Sequence, residues 1–136
     1  MTRFDAKTPT ERRSLYVDAI VAHRERGSPF LTIEVDEAEL DGDDGPDPDL
    51  GIPWIQFGDG IVNLDCTEDE LESLKTLQEA FPAFKIDELN RPEDAPGVNV
   101  RIGAKADPNR IAQFIDALFL EVYGLPEEYR SWLVSV

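Results

Sequence analysis

The chain has one cysteine, Cys66, and one histidine, His23. A lone cysteine excludes an intramolecular disulfide and fits a reducing compartment. A lone histidine confines any triad, zinc or His-base chemistry to a single residue. That residue falls near the end of a predicted helix beside Arg24 and Arg26, where complementing the helix dipole or partial burial is the expected role. Lysine is scarce too: Lys7, Lys75, Lys85 and Lys105 are the only four among 13 basic residues. No run approaches the roughly 18 apolar residues of a membrane span, and Met1 to Lys7 has no apolar signal core. The expectation is a soluble cytoplasmic protein without membrane contact. Neither GxxxxGK[ST] nor GxGxxG occurs, so no phosphate-cradling loop is indicated and no cofactor is expected.

What is abundant is negative charge. Asp and Glu number 29 against 13 Lys plus Arg, a net charge of -16, and the acids are spread along the chain rather than gathered in a tail. Self-repulsion on this scale opposes a compact state in dilute buffer. At 1 M salt the screening length shrinks to roughly 3 Å and the repulsion nearly vanishes. Many carboxylates with few lysines therefore point to a halophilic cytoplasm. The 136 residues, 41% hydrophobic with seven Phe, three Tyr and two Trp, suffice for one domain over 1–136 with a real core.

Helix signals come first at "TPTERRSLYVDAIVAHRERG": Thr8 as N-cap, Pro9 at the first helical position, Glu11 for a capping box and Gly27 as terminator. "PFLTIEV" alternates, with Leu31, Ile33 and Val35 on the apolar side of a half-buried strand. "IPWIQFG" and "GIVNLDC" are two strands joined at Gly58-Asp59-Gly60. Thr67 and Glu70 form a second capping box, and Leu71, Leu74, Leu77 and Phe81 make one stripe. "AFKIDEL" and "GVNVRIGAKA" are strands four and five. Asp107 and Pro108 open a third helix with a broad apolar face, closed by Gly124. "PEEYRSWLVSV" reads as a short helix or turn with a terminal apolar segment. The order is α-β-β-β-α-β-β-α: an α+β domain whose five-stranded antiparallel sheet carries its helices on one face.

The stretches "IPWIQFGDGIVNLDC" and "GVNVRIGAKADPNRIAQFIDALFLEVYGLPEEY" resemble small acidic haloarchaeal proteins to which no function is assigned. That resemblance spans most of the chain and implies a high-salt cytosol, with no catalytic residues to carry over. The element order also resembles the YbjN and type III secretion chaperone folds. This likeness implies a compact, commonly dimeric protein that binds other polypeptides, though fold alone does not fix function.

Each candidate chemistry has a specific weakness. "ELDGDDGPDPDLG" is rich in carboxylates, but an EF-hand needs oxygen ligands at 1, 3 and 5, Gly at 6 and Glu at 12. Counting from Glu39 puts Asp44 at 6 and Leu50 at 12; counting from Asp41 puts Gly45 and Pro46 at 5 and 6. The stretch, about 37–51, reads as a flexible acidic connector, with no metal site. Cys66 precedes a helix N-terminus, yet Asp65, Glu68, Asp69 and Glu70 oppose a thiolate. Asp65, Asp87 and Glu88 could pair, as chance allows among so many acids. Arg101, Lys105 and Arg110, with Arg12, Arg13, Arg24 and Arg26 on the first helix, could form a phosphate-binding patch, which the overall charge disfavours.

Trp54 alternates with Ile55 and Phe57 and so belongs on the opposite sheet face, the one antiparallel sheets often leave to solvent. With Trp132 it is the candidate interface. The alternative is that the acidic loop or the C-terminal segment covers it. The expectation is a non-catalytic binding, adaptor or chaperone-like protein, acting as a homodimer or on a protein partner. The alternatives are a carboxylate-based enzyme or small-ligand binder, and a regulator touching nucleic acid through an Arg patch.

Overall fold

A computed structural model describes residues 5–27, 30–36, 53–93 and 97–135. The acidic stretch at 37–51, where the connector was expected, lies outside the described residues. The elements are β1 (Asp5–Ala6), α1 (Pro9–Arg26), β2 (Leu31–Val35), β3 (Trp54–Gly58) and β4 (Ile61–Cys66), then α2 (Glu68–Gln78), β5 (Lys85–Asn90) and β6 (Val98–Gly103). Helix α3 (Pro108–Ala117) runs on into a π-helical turn (Leu118–Val122), and β7 (Ser131–Ser135) closes the chain.

The helix ends form where side chains can satisfy the free backbone amides. Thr8 accepts from the Glu11 amide at 3.3 Å, and Gly27 takes the left-handed conformation at φ 63°. Thr67 and Glu70 complete the reciprocal box, at 2.8 and 3.0 Å. Asp107 accepts from the Arg110 amide at 3.0 Å. The β3–β4 hairpin turns on Asp59 and Gly60, both at positive φ (52° and 72°), the twist that a tight hairpin needs.

Among the described residues the sheet has seven strands, all pairs antiparallel, in the order β1-β7-β2-β3-β4-β6-β5. The five-stranded expectation is thus corrected by the addition of β1 and β7. The turn expected in "PEEYRSWLVSV" falls at Glu127 and Glu128, and the terminal apolar segment, "SWLVS", is a strand inserted between β1 and β2. Apolar residues on both of its sides, Trp132 and Val134 against Leu133, hide the alternation that marks a strand. Two halves of the sheet share one plan. β1-α1-β2 is a split unit with β7 between its strands, and β4-α2-β5 is another with β6 between.

The inward residues of the four strands β2, β3, β4 and β6 meet the helices in one buried cluster. Leu31, Ile33 and Val35 of β2, Ile55 and Phe57 of β3, Val62 and Leu64 of β4, and Val98, Val100 and Ile102 of β6 join Ile20, Leu74, Phe114 and Phe119. At roughly 1.5–3 kcal/mol for each large apolar side chain removed from water, this cluster dominates the stability. The other face of the sheet carries no helix among the described residues.

Candidate binding face

Strand register decides which outward side chains are neighbours. Asp5 lies opposite Trp132, Trp132 opposite Glu34, and Glu34 opposite Trp54. These form a single row across β1, β7, β2 and β3 in which two tryptophans flank one glutamate. Trp132 is 41% exposed and Trp54 and Glu34 are half-buried. The Trp132 indole Nε1 donates to Asp36 Oδ2 at 3.0 Å, which restrains the ring at the surface. Asp5 pairs with Arg130. Among the described residues no cation pairs with Glu34. Phe30 and Val134, 48% and 54% exposed, widen the apolar surface.

Further along the face, Thr32, Gln56, Asn63 and Arg101 make a second row. Phe30, Gln56, Ile61, Asn63 and Arg101 line a shallow groove of about 240 Å³ there. Arg101 stands opposite Glu88 of β5. The C-terminal segment does not cover this face; it extends it, because β7 joins the sheet beside β2.

Strand β7 is held from the helix side by a buried polar network. Arg12 of α1 is fully buried, and its Nε donates to Asp116 Oδ1 at 2.8 Å. Its Nη1 donates to the carbonyls of Tyr129, at 3.0 Å, and Lys7. The guanidinium also lies 3.8 Å from the centre of the Tyr129 ring. Tyr129 Oη donates to Asp116 Oδ1 at 2.8 Å and lies 2.9 Å from Tyr16 Oη. Tyr16 donates in turn to Ser131 Oγ at 2.8 Å, inside β7. Burial alone would lower the Arg12 pKa, but the hydrogen bond to Asp116 and the surrounding groups raise it, so the side chain stays charged. Burial raises both tyrosines well above the ordinary phenol range, which keeps them neutral donors. The network fixes the backbone that carries Trp132.

Sequence alone did not single out this network. Its signal was a charge on an apolar stripe, since Arg12 shares the helical spacing of Tyr16, Ile20 and His23.

The remaining candidates disperse. Cys66 is buried, and burial, followed by Glu70, Asp65 and Glu68, pushes its thiol up to about 12. It packs as a small apolar group. His23 is buried edge-on to Phe57, with ring centres 5.5 Å apart, and burial and then Arg24 lower its pKa. Asp65 accepts from Asn99 at 2.9 Å, and β6 separates it from Asp87 and Glu88. The basic residues also part company. Arg12 is internal, Arg24 caps Ala106 O at 3.0 Å, Arg110 lies 4.2 Å over Phe81, and Arg101 stands on the opposite face from all three. Among the described residues no cluster of three or more His, Cys, Asp or Glu side chains has metal-binding geometry, and no helix is long and apolar enough to cross a membrane.

One family model matches residues 1–136, that of a family of unknown function, DUF7975. The comparison with curated proteins matches nothing, and the comparison with solved structures matches nothing.

Proposed function

This chain belongs to DUF7975, and we propose that it is a non-catalytic binding module that docks a polypeptide on the sheet face opposite its three described helices. The observation that carries this reading is the Trp132–Glu34–Trp54 row. Large aromatic rings left at a surface and surrounded by polar groups are the common anchors of protein interfaces. Burying them is favourable by about 25 cal/mol per Å² of apolar area. Among the described residues the carboxylates are dispersed, and the thiol and imidazole serve the core, so none of them favours a competing site.

The working milieu in this reading is a salt-rich cytoplasm. There the -16 charge no longer opposes either folding or association, because screening acts within a few ångströms.

The test is assembly in molar KCl. Wild-type protein should sediment as a complex with a second copy or another polypeptide, and Trp54→Ala with Trp132→Ala should lose that complex while keeping its circular dichroism. A complex that survives both substitutions, or a metabolite or nucleic acid bound in place of a polypeptide, overturns the proposal.

A further inference from the structure

The register places Trp132 and Trp54 on strands β7 and β3, one on each side of Glu34 on β2. Strands two apart in a sheet are separated by about 9.5 Å. That spacing admits one planar cation between or across two aromatic side chains, with a carboxylate beneath it. Aromatic faces attract such cations, Arg guanidinium most often, and the attraction grows as water is excluded. Glu34 has no cationic partner among the described residues, and Asp36 holds the Trp132 indole at 3.0 Å. Around the two rings stand Asp5, Glu34 and Asp36, and Arg130 is engaged by Asp5.

From this row we infer that the docked partner is a basic polypeptide segment, which sets an arginine or lysine side chain on Glu34 between the two tryptophans. The inference rests on the docking reading above and adds the chemistry of the occupant. A second copy of this chain fits less well. Two copies meeting face to face about a two-fold axis at this row would bring Glu34 and Asp36 of one against the same residues of the other, in chains of charge -16 each. A basic segment meets complementary charge instead. Short-range contact is also the kind of recognition that survives molar salt, where long-range attraction is screened out.

The probe is an acetylated tetra-arginine amide, titrated against tryptophan fluorescence in molar KCl, with tetraglutamate and a Gly-Ser peptide alongside. Saturable quenching by the arginine peptide alone is expected. The nearly isosteric Glu34→Gln should weaken it about fivefold, the scale of one partly desolvated cation contact. Glu25→Gln, the same charge change on the exposed side of α1, should leave it unaltered. Equal quenching by the neutral or acidic peptide, or equal weakening by the two substitutions, overturns the inference. The two readings fail differently in sedimentation. If the tryptophan substitutions abolish a native complex and Glu34→Gln does not, the face stands and the basic partner falls. If none of the three changes the complex, the face itself is wrong.

Discussion

At one end of the sheet, β7 is held between β1 and β2 by Arg12, Asp116, Tyr16, Tyr129 and Ser131. At the other, β6 is held between β4 and β5 by hydrocarbon on its helix side, with the Asn99–Asp65 hydrogen bond, at 2.9 Å, on its outer face. Phe84 and Phe114 stack there at 4.3 Å and 11°, with Phe81 edge-on to both. Both ends share the split β-α-β plan, yet one is finished with directional polar bonds and the other with packing. Apolar packing tolerates adjustment of side-chain positions. A buried ion pair does not, because each group must find its partner or remain charged and unsolvated. The polar end is the one that carries Trp132. The edges differ as well. The outer strand β5 is almost wholly exposed, is charged at Lys85, Asp87 and Glu88, and is irregular between Ile86 and Glu88. Such features discourage pairing with another chain.

The sharpest way to break this contrast is Asp116→Ala, which leaves the Arg12 guanidinium buried without its carboxylate. A loss of about 3–5 kcal/mol is expected in urea unfolding at fixed KCl. Arg12→Met with Asp116→Leu should recover most of that loss, because a matched apolar pair costs less than a broken ionic one. If Asp116→Ala costs no more than an ordinary surface change, the network does not hold β7.

Raising the pH compares the ends through their buried acids. Tyr16 and Tyr129 at the β7 end, and Cys66 and Tyr123 under β4, are all raised by burial in the fold. Each favours the folded state below its open-chain value, 9.0 for the thiol and 10.0 for the phenols. As pH rises beyond those values the unfolded chain ionises first, and stability falls by about 1.4 kcal/mol per pH unit for each group. For Cys66 the loss continues up to the folded value of about 12. Unfolding free energies measured at fixed salt should therefore decline from pH 9 upward. In Cys66→Ala the decline should begin nearer pH 10. An unchanged onset would show that the thiol is not shielded as the structure places it.

The smallest effect belongs to β5. Asp87→Ser should alter stability by no more than about 0.5 kcal/mol, since the side chain is exposed and unpaired in the ladder. Asp87→Val should leave stability similar but increase light scattering in molar salt, by removing a charge that guards the edge. Unchanged scattering would mean that the irregularity alone protects β5.

Much of this architecture was legible from residues. The caps at Thr8, Thr67 and Asp107, the hairpin at Asp59-Gly60 and the inward positions on β2, β3, β4 and β6 all follow from local rules about amide satisfaction and two-residue alternation. The face of Trp54 was legible for the same reason: a strand puts neighbours on opposite sides. Two strands were not. β1 is two residues long, too short for any periodic signal, and β7 is apolar on both sides. The π-helical turn after α3 also left no local mark.

By itself the sequence determined which segments are helices, which strand residues face inward, how acidic the surface is, and that sulfur and imidazole chemistry are nearly absent. Those properties depend on neighbours within a few positions or on simple counts. Only the tertiary structure decided that Trp132 and Trp54 stand on either side of Glu34. Their separation in the chain is large, and the insertion of β7 beside β2 sets it. That insertion depends in turn on Arg12 meeting Asp116 and Tyr129, contacts across more than a hundred residues, which no local pattern specifies because they exist only once the core has closed around them.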